Sequence, residues 1–259
     1  MQAYQIVQKA REISRPSTIE VIDFLCTDFI ECHGDRIMAD DAAIVGGVGL
    51  MDNKPITIIG IQKGNNTKEN IRRNFGSAGP AGYRKAQRLM KQAEKFNRPV
   101  LTLINTAGAF AAPESEEYGI GEAIASSLTL MSELTVPTVA IILGEGGSGG
   151  AIALALSDKV LMLENSIYSI LSPEGFASIL WKDSKLASQA ADVMKLTATD
   201  LLEMGVIDGI ISETHNGSTL AKDAILAEIN RTVHQVFSEL DAFSQEELLI
   251  ARHARFRKF

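Results

Sequence analysis

The stretch Gly144–Ala151, GEGGSGGA, constrains the fold of this chain more than any other. It follows the apolar run Val136–Leu143 and precedes an alanine-rich segment, so a buried strand is predicted to meet a buried helix there. Glycine turns tightly and lets another backbone or a ligand approach without a Cβ in the way. One or two glycines would suffice for close packing, and five in seven residues therefore indicate a functional turn.

Short apolar segments alternate with helical patterns on both sides of this turn, which is typical of α/β architecture with largely parallel strands. Strands are predicted at 45–50, 55–62, 100–104, 137–143, 159–163 and 166–171, the first two forming a hairpin. Helices are predicted at about 17–32, from 80 to before Pro99, at 121–134, from the glycine turn to about 156, and from 172 onward. Cys26 and Cys32 fall on the first of these helices, and 105–119 is predicted to be a loop.

We expect one domain over residues 1–259. It would consist of an N-terminal helix at about 17–32, a core at about 43–213 and C-terminal helices at about 218–259.

Composition excludes several classes of protein. The net charge of −7 disfavours nucleic-acid binding. Two cysteines offer neither a disulfide framework nor a metal cluster, and the N-terminus lacks the apolar core of a signal peptide, so a cytoplasmic location is predicted. The most apolar window, 136–156, is long enough to span a bilayer, but its central glycines favour a strand, a turn and a helix.

A basic segment lies between Lys63 and Arg88, with seven basic residues and Glu69 as its only acid. It is either a solvated helical face or a surface that receives phosphates or an acidic partner chain. The candidate contacts are Arg72, Arg73, Arg84 and Lys85.

The glycine turn admits three functional hypotheses. The first is a dinucleotide phosphate loop, because Gly144-x-Gly146-x-x-Gly149 has the required spacing and Glu164 follows where a ribose-binding acid belongs. Against it, a strand–loop–helix unit precedes the turn, and Glu145 would place a negative charge beside the pyrophosphate.

The second hypothesis is a serine hydrolase. Gly146–Gly150 also fits G-x-S-x-G with Ser148 as the nucleophile. Asp208 and then His215 or His234 follow in the chain order of that class.

The third hypothesis is an oxyanion hole. The start of a helix carries unpaired N–H groups and a partial positive charge. The glycines of the turn would let a negative oxygen approach such donors, and the loop at 106–110, which ends the preceding parallel strand, would supply a second set. Neither turn contains histidine, lysine or cysteine, which favours chemistry by donors rather than by a protein base.

Several longer motifs carry a resemblance to a known family. In order they are HGDR (33–36), AIVGGVG (43–49), QKGNNTKENIRRNFG (62–76), GYRKAQRLMKQAEKF (82–96), GEGGSGGA (144–151) and SPEGFASILWKD (172–183). From about residue 15 to 213 the chain resembles the α subunits of bacterial acetyl-CoA carboxylase carboxyltransferase, in a short form. It departs from the family's usual T-P-G-A-Y at Thr106–Phe110, which reads TAGAF.

The resemblance implies a crotonase-like (ClpP/crotonase) fold, a β-β-α superhelix with a helical C-terminal arm. It implies transfer of a carboxyl group from carboxybiotin, held on biotin carboxyl carrier protein, to acetyl-CoA, giving malonyl-CoA in the first committed step of fatty acid biosynthesis. Biotin carboxylase belongs to the full complex. The family also implies an α2β2 heterotetramer whose β subunit carries the zinc, with no metal in this chain.

The resemblance also implies roles for individual residues. Gly146 and Gly147 match the amides that hold one transient oxyanion, and Gly108 and Ala109 match the facing loop. The residues expected to bind substrate are Phe110, Arg84, Lys85, Arg72 and Arg73.

Overall fold

The computed structural model describes residues 2–259 of the chain. The strands are β1 (Thr27–Glu31), β2 (Ile44–Met51), β3 (Lys54–Ile61), β4 (Val100–Thr106), β5 (Thr138–Gly147), β6 (Lys159–Leu163), β7 (Ile167–Ser169), β8 (Gly209–Ile211), β9 (Thr214–His215) and β10 (Ser218–Thr219).

The helices are α1 (Ala3–Ala10), α2 (Thr18–Leu25), α3 (Thr67–Arg72), α4 (Pro80–Lys95), α5 (Pro113–Glu117), α6 (Ile120–Glu133), α7 (Ser148–Ala155), α8 (Pro173–Phe176), α9 (Ala187–Met194), α10 (Ala198–Glu203), α11 (Lys222–Leu240) and α12 (Gln245–Phe256). Short 3₁₀ turns lie at Asn74–Gly76 and Ser184–Leu186, and a π-helical turn follows α8 at Ala177–Trp181.

One eight-stranded sheet organises the chain in the order β1-β2-β3-β4-β5-β6-β8, with β7 paired to the far end of β5. The first two pairings are antiparallel, and every pairing from β3 onward is parallel. The predicted α/β class and the predicted hairpin are confirmed. Because the parallel strands share one direction, the ends of β3, β4 and β5 lie along the same edge of the sheet.

Two apolar cores cover the two faces of this sheet. Leu89, Met131 and Leu154 represent the core beneath α4, α6 and α7, whereas Leu101 and Ile229 represent the core beneath α2 and α11. Side chains of a strand alternate between faces, so each central strand feeds both cores. The central strands are therefore buried on both sides, as their continuous apolar sequences predict.

The prediction of a helix at about 17–32 is wrong for the second half of that segment. The helix ends at Leu25, and Thr27–Glu31 forms the edge strand β1 against β2. A capping box of Ser17 and Glu20 starts the helix. The apolar residues that follow fit both a helical and a strand period, and pairing with β2 decides between them. Cys26 therefore lies between a helix and a strand, and Cys32 lies beyond that strand.

Other boundaries differ less. Strand β5 continues through the first three glycines to Gly147, the short helix α5 interrupts the predicted loop at 105–119, and Ser218–Thr219 forms a short strand before the C-terminal helices begin at Lys222.

The last helix is anchored by a buried ion pair. The Arg252 side chain is fully buried, and its guanidinium donates to both carboxylate oxygens of Asp158 at 2.8 Å and to three backbone carbonyls. A buried guanidinium is tolerated only when it is satisfied in this way. The contact fixes α12 at the end of the sheet opposite the glycine turn.

Candidate active site

The glycine turn lies directly against the loop that follows β4. A Cβ added to Gly147 would overlap the Ala107 carbonyl, and one added to Gly150 would lie 2.5 Å from the Ala109 nitrogen. Both positions therefore require glycine because another backbone passes there. The two segments that the sequence predicts to act together are thus brought into contact.

The amide of Gly146 lies within the sheet. Gly146 is opposite Thr106 of β4 and Tyr168 of β7, so a strand lies on each side of it. Tyr168 donates its N–H to the Leu196 carbonyl, away from β5. In a parallel pair, only one of two opposed residues points its N–H and C=O groups at the other strand. Since Tyr168 points away, Gly146 directs its own N–H toward β7. Gly147 then points its N–H toward the end of β4.

Backbone N–H groups without a strand partner begin after Gly147, in the first turn of α7. Helix α7 starts at Ser148, and the first four N–H groups of a helix have no partner within it. Within residues 2–259, the N–H of Gly149 donates to no side chain and to no loop carbonyl. Gly149 is partly exposed, whereas Gly150 is buried. The sequence marks this turn but does not single out Gly149, because the extra length of β5 is not encoded in the glycine pattern.

The facing loop presents the amide of Ala109. The N–H of Gly108 donates to the Thr106 hydroxyl at 3.0 Å, and the N–H of Phe110 donates to the Ala78 carbonyl at 2.9 Å. Ala109 lies between them and is half-buried, and its N–H donates to no backbone carbonyl of the loops within residues 2–259. Its nitrogen is the atom nearest to the site of a Cβ on Gly150, so Ala109 and the first turn of α7 offer backbone donors side by side.

The serine hydrolase geometry is absent from the described residues. Ser148 is exposed with a φ of +48°, as on the strained turn of a hydrolase nucleophile, but its hydroxyl makes no hydrogen bond to any described residue. Asp208 instead accepts from the Val160 N–H and the Arg255 guanidinium. His234 pairs with Asp52 at 3.2 Å, and His215 lies on β9.

The dinucleotide hypothesis fails at its acidic residue. The Glu164 carboxylate accepts hydrogen bonds from the Glu213 N–H and from the Ser212 and Thr214 hydroxyls. It holds the segment after β8 in place and is not free to bind a ribose.

Most of the basic segment is used within the fold, contrary to the expectation of a free cationic surface. Lys85 is fully buried and donates to Asp40 at 2.6 Å and to the Asp41 carbonyl, which gives it a structural role. Arg73 is buried and donates to the Ala42 carbonyl. Arg84 donates to the Tyr118 carbonyl at 2.8 Å, and Arg72 lies exposed on α3.

A cleft of about 610 Å³ opens at the same edge of the sheet, on the side of α1, α2 and α11. Glu145 lies at its base, where Lys63 and Arg11 donate to its two oxygens at 2.7 and 2.8 Å. Burial raises the pKa of this carboxyl, but Lys63 and Arg11 outweigh burial and the net pKa is lowered. Glu145 is therefore ionised directly behind the glycine turn.

An exposed apolar ridge follows β7, the strand that pairs with Gly147. We define it as Ile170, Ile179, Leu180 and Trp181, of which Ile170 is 79% exposed and Leu180 60% exposed. The Trp181 ring packs edge-on against Phe176, with ring centroids 5.6 Å apart. Large apolar side chains exposed together are typical of protein contact surfaces.

Two further properties bear on function. Among residues 2–259, no group of three or more histidine, cysteine, aspartate or glutamate side chains is arranged to hold a metal ion. In the same part of the chain, no helix has both the length and the apolar character needed to cross a membrane.

Comparison with known proteins gives a consistent result. A family model described as acetyl co-enzyme A carboxylase carboxyltransferase-like matches residues 1–259. The acetyl-coenzyme A carboxylase carboxyl transferase subunit alpha of Streptococcus pneumoniae (strain Hungary19A-6) is 52% identical over 259 residues, covering 100% of both chains.

Solved structures extend the likeness to the fold. A transcarboxylase 12S structure with methylmalonyl-coenzyme A superposes with a TM-score of 0.71 at 16% identity, covering 90% of this chain and 44% of that one. A Pseudomonas malonate decarboxylase hetero-tetramer in complex with coenzyme A gives 0.67 at 15% identity, covering 85% of this chain and 90% of that one. Likeness at such low identity establishes the fold alone, and the crotonase-like fold expected from the sequence is confirmed.

Proposed function

The chain belongs to the family of acetyl-CoA carboxylase carboxyltransferase α subunits, and from that premise we propose its reaction. It transfers the carboxyl group of carboxybiotin to acetyl-CoA and so forms malonyl-CoA. The observation that carries the proposal is that the Ala109 loop meets the first turn of α7 at Gly150, and that each of the two segments carries a backbone donor, Ala109 and Gly149.

The donors suit this chemistry because carboxyl transfer to a thioester proceeds through negatively charged oxygens. Fixed N–H groups aimed at a developing oxyanion stabilise it without reorganisation, and each is worth about 3 kcal/mol in the barrier. We assign Ala109 and Gly149 as the donors of this subunit. Gly146 and Gly147 build the turn that presents them, and Gly108 holds Ala109 in place through Thr106.

Carboxybiotin, carried by a partner protein, supplies the carboxyl group when it is bound. No histidine, lysine or cysteine lies in either turn, so this chain contributes orientation and charge stabilisation rather than a proton acceptor. Exclusion of water by a docked partner would strengthen the donors.

We also propose the partners that the family implies. A β subunit docks on the apolar ridge in an α2β2 heterotetramer, because the ridge begins directly after the strand that pairs with Gly147 and would bring a second subunit to the catalytic turn. Biotin carboxyl carrier protein and biotin carboxylase complete the system, zinc belongs to the β subunit, and the location is the cytoplasm.

Three predicted substrate contacts remain in the proposal. Arg72 is exposed, with one long contact to Glu69 at 3.5 Å, and can meet a phosphate of CoA. Arg84 is partly exposed, with a long second contact to Glu122 at 3.5 Å. The Phe110 side chain is 36% exposed beside Ala109, where it can contact the acyl or biotin group.

Co-expression with the cognate β subunit tests the proposal. The purified complex should decarboxylate malonyl-CoA in the presence of biotin or its carrier protein, and the α chain alone should be inactive. Leu180→Glu should abolish co-purification with the β subunit while the isolated α chain keeps its circular dichroism spectrum. A complex without biotin-dependent turnover would contradict the proposed reaction.

A further inference from the structure

Glu145 occupies an unusual position for a buried charge. It is the residue immediately before the two glycines that end β5, yet its carboxylate faces the cleft beside α1 and α2 and not the donors of α7. The residue is 9% exposed. A buried carboxylate is retained only where charged or hydrogen-bonded partners compensate for its lost hydration.

Its contacts join three strand ends. The Glu145 N–H donates to the Asn105 side chain at 3.2 Å, where the pairing of β4 with β5 is irregular and the regular ladder is interrupted. The carboxylate accepts from Lys63, just beyond β3, at 2.7 Å. One residue thereby holds the ends of β3, β4 and β5 together behind the catalytic turn.

The same carboxylate also holds the N-terminal helix. Arg11, which caps α1, donates to Glu145 at 2.8 Å and to Glu174 of α8 at 2.9 Å. At Gly144 an added Cβ would lie 2.7 Å from both the Ala10 carbonyl and the Asn105 side-chain oxygen, so α1 and β4 both press on the strand here. The turn is thus held from behind by ion pairs and by close backbone contact.

We propose that Glu145 is a positioning residue for carboxyl transfer, which fixes the glycine turn against the Ala109 loop through its ion pairs with Lys63 and Arg11. The inference rests on the proposed function, since it concerns the same donors. It adds a residue that is not one of the proposed donors. Loss of the charge leaves two cations facing each other and releases the end of β5, and a shift of about 1 Å in an aligned group lowers a rate by about 100-fold.

The test uses Glu145→Gln in the co-purified α/β complex, with biotin-dependent malonyl-CoA decarboxylation as the assay. We expect kcat to fall about 10- to 100-fold, whereas KM for malonyl-CoA and for biotin stays within about threefold of wild type, because the binding groups are untouched. Glu12→Gln is the matched control, since Glu12 lines the same cleft and its carboxylate accepts, among residues 2–259, only from the Ser14 hydroxyl. Its kcat should equal that of wild type.

A general loss of stability must be separated from a positioning effect. Ser244→Ala removes the cap of α12, at the opposite end of the molecule, and should lower the Tm while leaving kcat unchanged. Lys63→Gln removes one arm of the network and should give a smaller decrease in kcat than Glu145→Gln. The double variant should be no worse than Glu145→Gln alone, because both substitutions break the same contact.

The outcomes separate this inference from the proposed function. A wild-type complex without turnover would contradict both. An active wild type with equal kcat in Glu145→Gln would overturn the positioning role alone, as would a change confined to KM. If Glu145→Gln does not assemble with the β subunit, full kcat in Lys63→Gln and in Arg11→Gln would overturn it.

Discussion

Gly150→Ala is the substitution whose effect follows most directly from the geometry of the site. The new Cβ would lie 2.5 Å from the Ala109 nitrogen and 2.8 Å from the Gly108 carbonyl carbon. Both are backbone atoms, so the loop itself must move. Reaching ordinary contact at 3.4 Å requires a shift of about 0.9 Å, the difference between 3.4 and 2.5 Å.

The shift should affect turnover more than folding. Overpacking destabilises by about 1–3 kcal/mol, and replacing glycine in a helix recovers about 0.5–1 kcal/mol. The net change of about 0–2.5 kcal/mol corresponds to a Tm decrease of at most about 10 °C for a chain of this size. Displacing the Ala109 donor by about 1 Å should lower kcat about 100-fold, which is about 2.7 kcal/mol in the barrier.

Biotin-dependent malonyl-CoA decarboxylation by the α/β complex measures the effect. Gly121→Ala is the control, because a Cβ there meets nothing within 4 Å and should leave kcat unchanged. If Gly150→Ala kept kcat within twofold of wild type, the contact between α7 and the Ala109 loop would not matter for the reaction.

Three further predictions follow from the structure. Ser148→Ala should keep at least half of the wild-type kcat, because its hydroxyl has no partner in the described residues and orients nothing; loss of all activity would restore the serine nucleophile. Lys85→Ala should lower the free energy of unfolding in urea by about 3 kcal/mol, since it breaks a pair whose cation is fully buried, and unchanged stability would contradict its structural role. The hydrogen bond from Arg11 holds the pKa of Glu174 at about 2, below its usual 4.5. The ionised carboxylate therefore stabilises the fold above about pH 4.5, and this contribution is lost as the pH falls toward about 2. Arg11→Gln should flatten that part of the acid-unfolding curve, and a curve of unchanged shape would contradict the role of the pair.

Much of the fold could be predicted because local patterns and tertiary packing agree. The hairpin of β2 and β3 has a turn between two β-branched runs, and the strands at 100–104 and 159–163 are short and apolar. The segment Thr27–Glu31 misled the prediction because its apolar spacing suits a helix as well as a strand. The free edge of β2 decides the outcome, and that edge is invisible along the sequence.

The glycine turn and Ala109 were identified from the sequence, whereas Gly149, which we propose as the second donor, was not. Five glycines mark where backbones approach, whereas the choice between Gly146 and Gly149 depends on how far β5 continues and on β7, a strand of three residues. The charges of Lys85 and Arg73 suggested substrate contacts because burial cannot be read from charge alone. Glu145 was seen only as an obstacle to phosphate binding, since its partners lie 82 and 134 positions away in the chain.

The Gly149 amide itself provides the most direct test of the account. Amide-to-ester replacement at Gly149 by semisynthesis removes this one N–H and changes no side chain. The same replacement at Gly121, also the second residue of its helix, is the control. We expect a decrease in kcat of about 10²- to 10³-fold at Gly149 and none at Gly121. Equal turnover of the two esters would contradict the claim that this amide stabilises the transient oxyanion.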